Sequence, residues 1–355
     1  MAERLRFGII GCGVIGPTHA DALATLPTAQ LVAVADIEEN RAVALAEKHG
    51  ARPYIDVRRM LEQEQLDVVD VCTPSGMHGE HACMVMRSGR HVIVEKPMEI
   101  SREAMDEMLT VRREVGVKLA VISQHRFDAA TQQVHKLATA GAFGRLVLGT
   151  AQIPWWRSQK YYDSGAWRGG WALDGGGVLM NQSIHSIDLL QWLMGRVARV
   201  TAYTDTLVHR METEDVAAAI LRFANGALGV ISATTGAYPG VGTRIEVFGD
   251  KGSAVIENDE LGFLHLARRD EEIGDYGIGA AERAKGGQPD DGGSGAAADP
   301  KALAVTTHAE QIADMIRAIR EGGTPLVDGE AARHPVEIIL AIYESARTGK
   351  EVALS

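Results

Sequence analysis

The sequence predicts two units: an N-terminal α/β domain with a doubly wound parallel sheet, then a C-terminal α+β domain with a large, mostly antiparallel sheet. Three observations carry this. Short β-branched runs alternate with amphipathic stretches over residues 1–124. Longer strand-like runs replace them over 125–355. A glycine-rich turn separates the first strand from the first helix. With 355 residues, 46% of them hydrophobic, the chain can fill two cores.

In the first unit, strands are expected at Arg6–Ile10, Leu31–Ala35, Val68–Cys72, Val92–Val94 and Leu119–Ile122. Helices fit Glu38–His49, Glu80–Arg87 and Arg102–Val115, where apolar positions recur at helical spacing. Right-handed crossovers between such strands give the doubly wound fold. In the second unit, a helix fits Ala129–Thr139, and strands fit Leu146–Ile153, Val197–Leu207, Val216–Phe223, Ala227–Thr235, Arg244–Gly249 and Ala254–Glu257. Asn225-Gly226 predicts a type I′ hairpin turn. One long helix is expected over Val178–Met194, and two more over His308–Arg320 and Pro335–Thr348. Residues 272–300 are rich in Gly, Ala and Asp and read as a mobile surface loop, with a lid or an oligomer-contacting arm as the alternative.

Composition excludes several roles. A net charge of -11 without a long basic run disfavours nucleic acid and anionic membrane as partners. No apolar stretch is long enough for a membrane span, and the opening segment does not read as a signal peptide. The three cysteines, Cys12, Cys72 and Cys83, lack metal-ligand spacing, so a cytoplasmic protein with reduced thiols and no metal is expected.

Gly11, Gly13 and Gly16 form GxGxxG directly after the first strand. The first permits the tight turn, the second lets backbone approach a pyrophosphate, and the third lets helix and strand pack closely. Val14 and Ile15 complete the turn, and amides at the helix start would face the phosphate charge. Asp36 ends the second strand, placed to accept from ribose hydroxyls and to repel a 2′-phosphate; NAD is favoured over NADP. Arg41 could moderate that preference. Ligands of such sheets sit beyond the C-terminal strand ends, where Thr73, Pro74, His78, Glu95 and Lys96 also fall. His78 either bonds near the cofactor or is a surface histidine at a helix start.

GIIGCGVIG, TPSGMHGEHA, EKP and GGGVLMNQSIHSIDLLQWLMG together resemble the Gfo/Idh/MocA oxidoreductases, and the resemblance spans nearly the whole chain. It implies a Rossmann domain, a second domain whose open-faced sheet serves substrate binding or subunit contact, and a homodimer or homotetramer. It also implies NAD(P)-dependent oxidation or reduction of a secondary alcohol on a sugar, sugar derivative or cyclitol. By the resemblance, the catalytic pair is Lys96, which contacts the reacting oxygen and takes part in its proton transfer, and His185, which contacts the same hydroxyl as acid/base or orienter. A lysine suits this because burial lowers its pKa toward neutrality. Many members carry an aspartate four residues before this histidine; Asn181 stands here instead and is expected to be a substrate contact. Asp188 either orients His185 or pairs within the helix.

YYDSGAWRGGWALDGG followed by NQSIH resembles members that oxidise nucleotide-linked amino-sugar uronates. Trp167 and Arg168 in this stretch are candidate substrate contacts or loop packing. Arg126 either faces the cleft as a substrate contact or forms an interdomain ion pair. The aromatic-basic cluster Trp155–Tyr162 reads as a stacking surface or an oligomer contact. His19 and His308 read as structural. Two rival functions share the dinucleotide site: an NAD-assisted glycoside-cleaving enzyme, and a non-catalytic dinucleotide-binding regulator.

Overall fold

The computed structural model describes residues 3–267 and 305–354; the loop expected over 272–300 lies outside them. The first sheet has six parallel strands, β1 (Leu5–Ile10), β2 (Ala29–Ala35), β3 (Arg52–Tyr54), β4 (Val68–Val71), β5 (His91–Val94) and β6 (Leu119–Val121), in the order β3-β2-β1-β4-β5-β6. The order reverses beside β1, so the carboxyl ends of β1 and β4 flank the crevice where a ligand sits in such sheets. The apolar runs of β4 and β5 are buried on both faces, as a sheet covered on both sides requires. β3 escaped the sequence reading: it is a three-residue, largely exposed edge strand without alternation.

The second sheet has eight strands in the order β13-β12-β11-β7-β10-β9-β8-β14, all antiparallel except the β7–β10 pair. Its members are β7 (Leu146–Pro154), β8 (Val197–Asp205), β9 (Val216–Phe223), β10 (Leu228–Thr234), β11 (Arg244–Gly249), β12 (Gly252–Glu257), β13 (Glu260–Leu266) and β14 (Val352–Ala353). β9 and β10 alternate buried and exposed residues along their lengths. One face packs on the helices Ile184–Met194 and Gly329–Thr348. The other presents Tyr203, Ile220, Leu228 and Val230 to solvent, the open face the resemblance implies.

The β9–β10 hairpin forms, but its turn is not type I′. Gly226 alone turns left-handed (φ +90°), and its N–H returns to the Phe223 carbonyl. Asn225 stays out of that region because its side chain is engaged with the Met194 carbonyl and the Ala227 N–H. The helix expected from Pro335 begins at Gly329, capped by Asp328, and accommodates Pro335 inside it. The helix Val305–Glu321 packs back on the first domain, burying Ala309, Ile312, Met315 and Ile316 against a core that includes Phe7, Ile9, Ala20 and Leu23.

Candidate active site

Each glycine of the first turn has its own role in the geometry. Gly11 is left-handed (φ +96°), and a Cβ there would lie 2.5 Å from the Cys72 carbonyl oxygen. A Cβ on Gly16 would lie 2.3 Å from the Gly11 oxygen, so helix α1 (Gly16–Thr25) packs on the turn only without a side chain. A Cβ on Gly13 would meet nothing within 4 Å: its missing side chain clears a path for a ligand, not for the protein. The helix starts without a side-chain cap or an acid in its first turn, leaving its positive end to an anion. Val14 is 53% exposed on the same rim, beside Ile15.

The Asp36 carboxylate accepts from the Cys12 amide at 2.7 Å and from the Glu38 amide at 2.8 Å. It is thereby fixed beside the turn, and the neighbouring Ile37, 88% exposed, offers an apolar surface to a base. Beyond β4, Thr73 keeps a buried hydroxyl with no partner, next to the Pro74 corner. These features fit a dinucleotide. His78 instead is buried, with Nδ1 at 2.7 Å from the Pro97 carbonyl and Nε2 at 2.9 Å from that of Thr73. It ties the loops after β4 and β5 together rather than standing at the surface, and burial pushes its pKa down.

Glu95 also departs from its expected role as a cofactor contact. Its carboxylate points inward, 3.1 Å from His19 Nε2 and 3.6 Å from His308 Nε2, while His19 Nδ1 lies 2.9 Å from Asp70. Burial alone would raise the Glu95 pKa; the two histidines hold it well below the usual range. That buried knot anchors the strand end. The next residue, Lys96, therefore projects from a fixed backbone, and its ammonium donates to the Asn181 carbonyl at 2.8 Å. Burial lowers the Lys96 pKa; Glu95 and Asp174 oppose this, and Arg168 and Arg157 add to it.

The helix that carries His185 is not one continuous α-helix. It opens as a π-helical turn over Val178–Ser183 and becomes an α-helix, α2, at Ile184–Met194. The buried Glu214 carboxylate imposes this start: it accepts from the Gly177 and Leu179 amides at 3.0 and 2.9 Å, and from the Tyr343 hydroxyl at 3.0 Å. Burial raises the Glu214 pKa to about 7. Gly176 and Gly177 let this happen, since a Cβ would meet the Tyr343 hydroxyl at 2.0 Å or the Glu214 carbonyl at 1.9 Å. Such π turns widen the helix and recur at functional sites.

His185 stands edge-on to His125, with ring centroids 5.1 Å apart. Burial, then the charges of His125 and Lys96, push the His185 pKa well down, so its ring is neutral near pH 7. His125 itself is carried to about 10: burial works against the cation, but Asp128 at 2.8 Å and Asp259 at 3.2 Å outweigh it. Asp188 does not orient His185; within its helix it accepts from Gln191, but its main partner lies outside. It takes Arg126 in a two-pronged ion pair, with Ser123 and Gln191 as further donors. Arg126 is 2% exposed and lies over the Trp192 ring. The guanidinium expected to meet substrate is thus spent inside the protein.

Asn181 is the hub beside Lys96. Its carbonyl takes the lysine, its side-chain N–H2 donates to buried Asp174, and its side-chain oxygen accepts from Gln182 at 3.1 Å. Gln182 also donates to the Tyr161 hydroxyl at 2.8 Å and accepts from Arg157 at 3.1 Å. Arg168 donates to the same Tyr161 hydroxyl at 2.7 Å, with its guanidinium 4.5 Å from the centres of both the Tyr161 and Trp167 rings. A continuous polar ribbon with two guanidinium groups therefore runs from Lys96 outward. Of the aromatic-basic cluster, Arg157 and Tyr161 join this ribbon; Tyr162 bonds to Thr235, and Trp156 packs on Tyr238. Sequence reasoning missed Asp174, Gln182, Glu214 and His125. Only Asp174, directly before the triple glycine, carried a local signal.

Residues 5–123 match the family model described as an oxidoreductase family with an NAD-binding Rossmann fold, and residues 131–255 match the GFO/IDH/MocA C-terminal domain. The crystal structure of the WlbA dehydrogenase from Bordetella pertussis, in complex with NADH and UDP-GlcNAcA, superposes with a TM-score of 0.85 at 34% identity, covering 99% of each chain. Myo-inositol 2-dehydrogenase of Thermotoga maritima is 29% identical over 72% of this chain and 75% of its own. D-glucoside 3-dehydrogenase of Escherichia coli is 36% identical over 54% of each chain. The cradle, the strand-end lysine and both matched domains agree: the chain belongs to the Gfo/Idh/MocA family and is an NAD-dependent oxidoreductase.

Proposed function

We propose that this dehydrogenase oxidises a ring secondary alcohol of a nucleotide-linked sugar uronate, with Lys96 as the acid/base and neutral His185 orienting the reacting hydroxyl. The observation that carries the reading is the ribbon itself: a half-buried, pKa-lowered lysine at the cofactor end of β5, continuous with Arg157 and Arg168. The half-buried Arg168 guanidinium suits a carboxylate or diphosphate and has no such partner in an uncharged cyclitol. The UDP-GlcNAcA bound in the Bordetella relative has that chemistry. NAD, held by the glycine turn and Asp36, would supply the hydride acceptor; the residues position and polarise. Lys96, as the neutral amine, takes the hydroxyl proton, and His185, beside the His125 cation, serves as a hydrogen-bonding partner that stays uncharged. The Thr73 hydroxyl, Asp36 and the glycine turn hold the dinucleotide.

The exposed apolar residues of the eight-stranded sheet support a homodimer or homotetramer joined through that face. The three buried free cysteines support a cytoplasmic setting. No described helix is long and apolar enough to cross a membrane. The test is NADH formation with UDP-GlcNAcA, its uncharged UDP-sugar counterpart, myo-inositol and a simple glucoside. The uronate should give the highest kcat/KM, and Arg168→Ala should remove that preference. Equal or faster oxidation of myo-inositol would overturn the substrate class.

A further inference from the structure

We propose that Asp174 is a positioning residue of the proton-transfer apparatus, clamping Asn181 under Lys96 and supplying the carboxylate that faces the lysine's ammonium. The inference rests on Lys96 being the acid/base.

Asp174 is 2% exposed. One oxygen accepts from the Gly169 amide at 2.8 Å and the other from the Asn181 side-chain amide. Both donors are neutral, and a buried carboxylate answered only by neutral donors is costly. The cations that act on it are Lys96 and Arg168. Five charged or titratable groups surround Lys96: Glu95 from its own strand end, Asp174 from the glycine segment, Arg157 and Arg168 from the stretch after β7, and His185 from α2. Glu95 is already answered by His19 and His308. Asp174 is thus the carboxylate that balances a lysine otherwise facing two guanidinium groups.

The link is also mechanical. The carbonyl that holds Lys96 Nζ belongs to the residue whose side chain Asp174 grips. Asn181 lies in a π-helical turn, and Asp174 holds its side chain while Lys96 holds its carbonyl, so the grip bears on where that carbonyl points. In the oxidation, the substrate O–H bond breaks and an N–H bond forms on Lys96 as the hydride leaves carbon for the cofactor. The new ammonium donates to Asn181 and faces Asp174. No proton passes to Asp174.

The structure also dictates the control. In the double variant Asp174→Asn/Asn181→Asp, the amide and carboxylate exchange places without losing a hydrogen bond. The amide at 174 accepts from Gly169 and donates to 181, and the carboxylate at 181 accepts from it and from Gln182. The charge stays beside Lys96.

The experiment uses the full-length protein labelled with 13C at lysine Cε, the Lys96 signal being the one lost in Lys96→Met. Asp174→Asn should lower the Lys96 pKa by on the order of one unit, because an opposing charge has been removed. The acid limb of kcat/KM should move down by the same amount, and kcat should fall about tenfold or more through lost positioning. The swap should bring the pKa back to within a few tenths of a unit. Unchanged NADH affinity would confirm an intact fold. An unshifted Lys96 titration in Asp174→Asn, or a swap that leaves it shifted, overturns the proposal. The NMR readout needs no turnover, so it stays separate from the catalytic reading, which instead fails if Lys96→Met retains activity.

Discussion

Replacing Asp36 should convert a cofactor preference into a measurable loss. The carboxylate is fixed by two backbone N–H groups, those of Cys12 and Glu38, and so meets a ribose hydroxyl without reorganising. A hydrogen bond to a charged group is worth about 1.5–3 kcal/mol. At about 1.4 kcal/mol per tenfold, Asp36→Ala should raise the KM for NAD by roughly 10- to 100-fold. The same change frees the Cys12 amide inside the glycine turn, so part of the loss is turn geometry. Asp36→Asn separates the two effects in part, since it keeps an oxygen for the Cys12 amide while removing the charge and the acceptor for the Glu38 amide. Both variants should raise the NADP-to-NAD ratio of kcat/KM by at least about tenfold, because the repulsion of a 2′-phosphate is gone. Arg41, whose charge already reaches Cys12, can then meet that phosphate. The assay is initial rate against each cofactor at saturating substrate, with thermal melts as the control for folding. An unchanged ratio in both variants would show that Asp36 does not read the ribose.

Gly13→Ala should leave the melting temperature unchanged and abolish NADH binding, as its Cβ meets only ligand space. Gly16→Ala should instead cost about 1–3 kcal/mol of stability by overpacking against the Gly11 oxygen; equal melting curves for the two would contradict the division of roles. Arg126→Met should destabilise the protein by about 3–5 kcal/mol, leaving Asp188 buried without its cation, while substrate KM holds per folded molecule; a selective rise in KM would return Arg126 to the substrate site. Glu214, whose folded pKa is raised to about 7, binds more protons folded than unfolded between its usual carboxylate range and that value. Stability should therefore fall as pH rises through that window, and Glu214→Gln should flatten the fall in a pH series of denaturant melts; an identical slope in the variant would refute it.

What the sequence made legible was local chemistry. GxGxxG, Asp36 and the lysine of EKP can be read because each role depends on a few consecutive residues and one strand end. The long helix over Val178–Met194 was read as uniform because periodicity does not reveal that Glu214, far along the chain, will hold the Gly177 and Leu179 amides. Arg126 and Glu95 looked available for the cleft, and only tertiary packing shows that Asp188, His19 and His308 consume them. The edge strands β3, β13 and β14 are short or exposed and lack the alternation that marks a half-buried strand.

The central claim is that Lys96 performs proton transfer in an NAD-dependent oxidation of a nucleotide-linked sugar uronate. Its most direct test is the pH dependence of NADH formation from UDP-GlcNAcA by the wild-type protein and by Lys96→Met. The account predicts turnover that rises with pH through an acid limb in the wild type, and a loss of about 100-fold or more in the variant, the usual worth of a general base. Intact NADH binding in the variant would show that only the chemistry was lost. Turnover within tenfold of wild type in Lys96→Met, or no NADH from the uronate in the wild type, would contradict it.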